Sequence, residues 1–358
     1  MRRLDIWLLL AVVVIGVCSY LAQGSTAQAL ASPGFANRQM VWLLVGAGMM
    51  VLFSLADYRI LTRLAPLLYA VSLLVLAAMP VLAPMRSGSR AWLPIGAYTI
   101  QPSEFVRVVT ILAVAALVRE YTSHRLDFRA SVRLTALVLA PAGLIALQPD
   151  LGVALTYVPI LLTAFWLGGL PWRVWGALAL TGVLVVGGAW TWYLKPFQKE
   201  RVLTVVDAER DPFGAGYQQR QSRIAVGSGG LTGKGLHSGT QSQLRFLPAQ
   251  HTDFIFAVWA EETGFVGALL LLVAYLLLIS RIFLIAIAAR DRTGAVLAGA
   301  VGAVLAIQTL VNVGMVLGVC PITGITLPLM SYGGSSMLAT GIALGLVLSV
   351  WRLRYANV

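Results

Sequence analysis

Charge is scarce in this chain: Asp, Glu, Lys and Arg make up 11% of its 358 residues, while 59% are hydrophobic. A soluble domain carries about a quarter charged residues, so a water-soluble globular fold is excluded. Cysteine is nearly absent. Cys18 and Cys320 lie inside or at the end of apolar runs without metal-type spacing, and they read as small buried hydrophobes rather than a disulfide. Histidine is also rare. His237 and His251 have no clear third ligand, so a dedicated transition-metal site is not expected. A net charge of +12 would raise nucleic acid as a partner for a soluble chain, but here the arginines mark topology instead.

What the chain has in abundance is apolar sequence of membrane-spanning length. Ten such runs recur, at about 5–22, 40–56, 64–83, 104–119, 133–147, 151–168, 174–194, 254–280, 293–318 and 333–351. The first resembles a signal peptide because Arg2 and Arg3 precede it. It lacks a small-residue cleavage site and continues through Tyr20-Leu21-Ala22-Gln23, so it is expected to remain as a helix. With both ends in the cytoplasm, fourteen Lys and Arg fall in inner segments, among them Arg59, Arg125, Arg281 and Arg352. Only Arg38, Arg86 and Arg90 fall in short outer loops. Eight more occupy the long polar segment, which is exempt from the positive-inside rule because of its length. The expectation is an all-α integral membrane protein with ten transmembrane helices and both termini cytoplasmic. A long extracytoplasmic loop, about 195–253, then separates helices 7 and 8. Residues 1–358 form one polytopic domain, with no linker or repeat visible.

The outer segments hold the residues capable of chemistry. Phe246-Leu247-Pro248-Ala249-Gln250-His251-Thr252-Asp253-Phe254 ends the polar loop and opens an apolar helix with an acid at its mouth. A carboxylate there is costly to desolvate and calls for a reason. Glu261 and Glu262 follow, roughly 12 Å further along a helix. Glu104 and Arg107 stand at i,i+3 after Pro102, either as a neutralising ion pair or as a pair that positions a polar substrate. Arg90 is then left to meet an anion, and Trp92 suits an interfacial belt. Asp150 in Gln148-Pro149-Asp150-Leu151-Gly152 either caps the next helix or faces the same cavity as Asp253. The long loop is rich in Gln, including Gln241, and reads as structured.

Within that loop, Gly227-Ser228-Gly229-Gly230-Leu231-Thr232-Gly233-Lys234-Gly235 fails as a nucleotide-binding loop. Such a loop needs Gly where Ser228 stands and Ser or Thr where Gly235 stands. Its N–H groups and Lys234 remain able to cradle another phosphate. His251, two residues from Asp253, either orients it or does nothing. Residues 321–336, with two prolines and paired glycines, cannot form a continuous helix, and they read as a re-entrant, site-lining segment.

Taken in order, Gln101-Pro102-Ser103-Glu104, Gln148 through Gly152, Phe246 through Glu262 and Leu327 through Ser336 resemble the SEDS family (shape, elongation, division and sporulation proteins). The run Asn312 to Gly318 is more similar to its cell-elongation branch than to its division branch. The resemblance covers essentially the whole chain. It implies a peptidoglycan glycosyltransferase of the bacterial cytoplasmic membrane that polymerises lipid II on the outer face during elongation and shape maintenance. The family's essential aspartate falls on Asp253, and its paired acid on Glu104. Arg107 stands where Lys is common, and Ala91 where Arg often precedes the tryptophan, with Arg90 one place earlier.

The resemblance implies Asp253 as general base for the acceptor hydroxyl and an inverting reaction. Arg90, Arg107 and Lys234 would hold the pyrophosphate, while Trp92, Glu104, Asp150, Gln241, Thr252 and Ser331 shape the substrate site. A divalent cation, Mg²⁺ or Mn²⁺, fits the leaving group, and no nucleotide or organic cofactor is called for. The partners implied are lipid II, the growing lipid-linked glycan, membrane lipids and a class B penicillin-binding protein, and no nucleic acid. The competing readings are a flippase or transporter of lipid-linked precursor and a non-catalytic scaffold for a transpeptidase.

Overall fold

The computed structural model describes residues 5–30, 34–86, 88–96, 98–121, 126–207 and 210–355. Arg2, Arg3 and Arg125, counted above for orientation, lie outside the described residues, as does the Arg173 side chain. Three long helices come first: α1 (Ile6–Ala29), α2 (Gly34–Leu55) and α3 (Tyr58–Leu82). A short hairpin pairs β1 (Leu93–Ile95) with β2 (Tyr98–Ile100), Leu93 opposite Ile100. Then come α4 (Pro102–Glu120), α5 (Phe128–Ala146), the short α6 (Leu151–Leu155), α7 (Val158–Leu167) and α8 (Trp172–Gly188), which ends in a π-turn. The polar segment folds into α9 (Pro196–Leu203), α10 (Ala215–Ser228) and α11 (Thr240–Gln243). Three further long helices follow: α12 (Ile255–Ile287), α13 (Arg292–Leu317) and α14 (Gly334–Leu353).

Among the described residues, eight helices are long and apolar enough to cross a membrane. The other two expected spans look different for physical reasons. α4 carries Glu104, Arg107, Arg119 and Glu120, so its apolar run is short. The stretch 151–168 is broken between α6 and α7, where Pro159 near the start of α7 denies the ladder an N–H.

α13 packs on α12, α4 and α7, and α14 lies along α2. That last approach is close because Gly341 and Gly345, four apart on α14, face the α2 backbone. A side chain at Gly341 would strike the Gly46 carbonyl, and one at Gly345 the Met50 carbonyl. The outward faces of α2, α3 and α8 expose Leu44, Leu52, Leu67, Leu74, Leu180 and Val183, a surface that only lipid solvates well. Cations gather at the end where α12 finishes and α13 begins. Arg281 pairs with Asp5 at 2.6 Å, Arg59 pairs with Asp291 at 3.4 Å, and Arg352 donates to the Leu55 carbonyl.

α12 is not one continuous helix. Gly264 sits at φ 67°, ψ −165°, which breaks the backbone ladder one turn after Glu261. The glycine-rich loop 229–235 wraps this break and replaces the lost bonds. Phe265 and Val266 donate their N–H groups to the Gly230 and Leu231 carbonyls at 2.9 and 3.1 Å. In return the Lys234 and Gly235 N–H groups donate to the Glu261 and Glu262 carbonyls at 3.1 and 3.0 Å. Freed backbone at an apolar boundary must be paired in this way.

Two of these glycines are obligatory. Gly233 (φ 80°) faces the Glu262 carbonyl and Gly264 faces the Gly233 N–H, each too closely for a Cβ. Gly233→Ala and Gly264→Ala are each expected to lose at least about 2 kcal/mol, from left-handed strain plus collision. Gly48→Ala, in open space on α2, is expected to be neutral. Thermal unfolding of the detergent-purified protein checks this; equal midpoints for all three would contradict it.

Candidate active site

Three non-helical pieces of chain meet at the end opposite the arginines: the 148–150 turn, the 244–254 approach to α12, and the 318–333 segment. Asn312, buried in α13, joins two of them. Its Nδ2 donates to the Asp253 carbonyl at 3.0 Å and to the Ile325 carbonyl at 2.8 Å. Ser331 adds a second link. Its hydroxyl donates to the Thr252 carbonyl at 2.6 Å and accepts from the Leu327 N–H at 2.8 Å. Behind them, Gln23 of α1 donates to the His251 and Met330 carbonyls, and Tyr275 donates to the Pro328 carbonyl. The 318–333 segment is non-helical, as its prolines and glycines require, and its carbonyls are held by side chains from the surrounding helices.

The same segment presses on the 148–152 turn. A Cβ on Gly152 would collide with the Thr323 carbonyl. Asp150 caps α6 through the Val153 N–H at 3.2 Å, and its other oxygen accepts from Gln101 Nε2 at 3.0 Å. Capping and membership of a shared acidic site are therefore not alternatives. Burial pushes the Asp150 carboxyl up to about 6, with Glu104 and Asp253 near enough to add to the rise, against the Val153 and Gln101 hydrogen bonds. Asp253 is partly exposed on the rim, its Oδ2 facing Gly324. Desolvation raises its pKa above the ordinary carboxylate range, opposed by a hydrogen bond from Thr252 and the charge of Arg201. Burial lowers that of His251, whose ring packs edge-on against Phe35.

Glu104 and Arg107 form a bidentate pair at 2.5 and 3.3 Å, both nearly inaccessible, and Arg107 also donates to Thr156 Oγ1 at 3.3 Å. At the head of α4, the Gln101 N–H donates to Ser335 Oγ at 3.0 Å. A cavity between α4, α13 and α14 is lined by Arg107, Ile111, Gln308 and Thr340. Asp150 and Asp253 do not line it.

The structure thus brings together Asp253, Thr252, Ser331, Asp150, Glu104 and Arg107 from the sequence-based candidates. It places others elsewhere. Lys234 Nζ lies 2.7 Å from Glu261, so its charge is taken by a buried carboxylate. The Gln241 N–H donates to the same carboxylate at 2.9 Å. Arg90 is exposed with its guanidinium on the Pro80 carbonyl, and its N–H donates to the Gln148 carbonyl at 3.4 Å, beside the Asp150 turn. Trp92 is half-buried just ahead of β1. Sequence reasoning missed Arg201, which no local pattern marks. It also passed over Asn312 as a site residue, although an amide inside an apolar run is a signal in itself. Among the described residues no three His, Cys, Asp or Glu gather as a metal cage.

Known proteins share this architecture. A family model for cell cycle proteins of the FtsW, RodA and SpoVE type matches residues 2–356. The peptidoglycan glycosyltransferase MrdB of Escherichia coli K12 is 38% identical over 317 residues, covering 88% of this chain and 85% of that protein. Stage V sporulation protein E of Bacillus subtilis is 36% identical over 321 residues, covering 89% and 87%. Among solved structures, the rod shape determining protein RodA of Thermus thermophilus superposes with a TM-score of 0.75 at 33% identity over 99% of both chains. A chain from a peptidoglycan synthase complex that coordinates polymerization and crosslinking superposes at 0.84 with 36% identity, covering both chains fully.

The Asp150 environment sets a pH test. A raised pKa means that the fold favours the neutral acid. Its contribution is fully present below the ordinary value of 3.8 and is lost as pH rises through about 6, a loss of at most about 3 kcal/mol. Asp150→Asn keeps the cap and removes the titration. Its unfolding midpoint is expected to vary less than wild type between about pH 4 and 7; an unchanged slope would contradict the assignment.

Proposed function

This chain belongs to the FtsW, RodA and SpoVE family of cell cycle proteins, and we infer that it is a peptidoglycan glycosyltransferase, building glycan strands for the cell wall of a rod-forming bacterium. The family match and the relatives at 36–38% identity support the activity. The arginine-rich end, which holds Asp5, Asp291 and Arg352, faces the cytoplasm of the inner membrane. The Asp253 end faces outward. Ten crossings result when α4 and the broken α6–α7 pair are counted with the eight long apolar helices.

Outside the membrane no nucleotide sugar is at hand, so the donor is lipid II, already activated as a polyprenyl diphosphate. The acceptor's 4-hydroxyl, on N-acetylglucosamine, attacks carbon 1 of the donor N-acetylmuramic acid, and the bond from that carbon to the diphosphate breaks. Asp253 takes the hydroxyl proton, a role suited to a carboxylate with raised proton affinity. Attack from the opposite face turns an α-linked donor into a β-1,4 glycan, an inverting transfer. Asp253 stands out because it is partly open on the rim with its backbone carbonyl pinned by Asn312, whereas Asp150, similarly open, spends both oxygens on Val153 and Gln101, and Glu104 is consumed by Arg107.

Arg201, whose charge reaches Asp253, and Arg90, beside the Asp150 turn, are two exposed cations of this end, and they receive the diphosphate. Arg107 orders the floor of the site from its buried pair, with Gln101, Asp150, Thr252 and Ser331 around the sugars. Lys234 and Gln241 act from further away through Glu261. A divalent cation would be held by the substrate diphosphate rather than by a protein cage, and it would supply charge neutralisation there. The polyprenyl tail runs along the exposed apolar faces of the lipid-facing helices. The likeness to a synthase complex that couples polymerization to crosslinking supports a transpeptidase partner of the class B penicillin-binding type. A transporter would gather its acids near the midplane, but these lie at one end of the helices.

Asp253→Asn is expected to reduce glycan ladders from purified lipid II by about 10²- to 10⁴-fold while leaving the protein folded. Wild-type turnover falls as pH drops through the raised pKa of Asp253, because the base must be ionised. Full-length glycan from the variant would overturn the assignment.

A further inference from the structure

Glu261 lies outside the rim of the site, yet its carboxylate is wholly buried and collects an unusual set of donors. Besides Lys234 Nζ at 2.7 Å and the Gln241 N–H at 2.9 Å, it accepts from Thr240 Oγ1 at 3.2 Å, the Ser242 N–H at 3.3 Å and Ser228 Oγ at 3.5 Å. Glu261 thereby caps the N-terminus of α11, which has no side-chain cap of its own. Chain order makes this arrangement mechanically specific. α11 lies before Asp253 and Glu261 lies after it, so the carboxylate closes a loop with Asp253 near its middle. Glu262 strengthens the closure from the next position, accepting from Ser25 of α1, and Ser25 Oγ in turn accepts from Gln243 Nε2 of α11 at 3.0 Å. Arg245 donates to the Ala29 carbonyl at 2.6 Å.

We propose that Glu261, its charge balanced by Lys234, is a positioning residue that holds Asp253 in its reactive place by locking α11 to the head of α12. The proposal rests on the reading of Asp253 as general base. Neither Glu261 nor Lys234 touches the substrate in this account. Glu261 uses both oxygens to receive backbone N–H groups, which an amide cannot do, so Glu261→Gln frees one end of the loop. Lys234→Met leaves a buried carboxylate without its cation and loosens the same clasp. Lys234→Arg keeps the charge.

Steady-state polymerisation of lipid II by the full-length purified chain, followed across pH, tests this. Glu261→Gln and Lys234→Met are each expected to lower kcat by about 10²-fold, the scale of an ångström-sized misplacement, with little change in KM. The acidic limb of the kcat profile is also expected to move to lower pH, because a loosened loop admits water to Asp253. The groups facing Asp253 are Arg201 from α9, Asp150 from the 148–150 turn and Thr252 beside it, all intact in both variants. Lys234→Arg restores rate and limb together.

A merely structural role would scale turnover equally at every pH and leave the limb in place, and that result overturns the proposal. Should Glu261→Gln fail to fold, the Lys234→Met profile alone decides in the same way. Asp253→Asn separates the two readings. Continued polymerisation by that variant defeats the base assignment itself, whereas an inactive Asp253→Asn beside unshifted limbs defeats only the positioning claim.

Discussion

Breaking an α-helix at the edge of an apolar layer frees backbone N–H and C=O groups, and this protein depends on how those at Gly264 are paired. The loop 229–235 supplies the partners, and Gly229 and Gly233 are there because only a bare backbone fits against the Ala260 and Glu262 carbonyls. Once that loop is seated, Lys234 is delivered to Glu261, Glu261 reaches α11, and α11 leads into Asp253. A polar segment that would otherwise be a loose tether becomes a fixed wall of the site. The backbone pairing comes first and the placement of the Asp253 carboxylate follows from it.

On the other side of Asp253 a different device does comparable work. The 318–333 segment has almost no regular structure to satisfy its carbonyls, so helix side chains do it: Ser19, Gln23, Tyr275 and Asn312. The rim of the site is thus irregular chain held by rigid helices, an arrangement that gives precise placement while leaving the surface open to a large lipid-linked sugar. The charges are sorted accordingly. Glu104 and Arg107 neutralise each other in the floor, Glu261 and Lys234 neutralise each other in the loop, and Asp253 and Asp150 are left to titrate.

Much of this was legible in the amino-acid order. Membrane-length apolar runs announce long helices, because lipid solvates their sides, and prolines with paired glycines announce the non-helical 318–333 segment. Glu104, Arg107, Asp150 and Asp253 were visible as ionisable groups at apolar boundaries, where charge is expensive. Other features depend on tertiary contact. The glycine loop resembles a phosphate cradle because both uses need exposed N–H groups, and nothing local says that the acceptors are the carbonyls of a broken helix. Lys234 looked available for an anion because its partner lies 27 residues away. The Gly341 and Gly345 contact with α2 and the 93–100 hairpin carry only weak local signals, and Arg201 approaches Asp253 only once α9 folds back.

The account stands on Asp253 lying at the outer face in a site open to substrate. Asp253→Cys, in a protein whose Cys18 and Cys320 are replaced by Ser, can be probed with a membrane-impermeant maleimide on intact spheroplasts and on inverted vesicles. The account requires labelling from the outer side only, slowed by added lipid II. Labelling from the cytoplasmic side, or from neither side until the protein is unfolded, would contradict it.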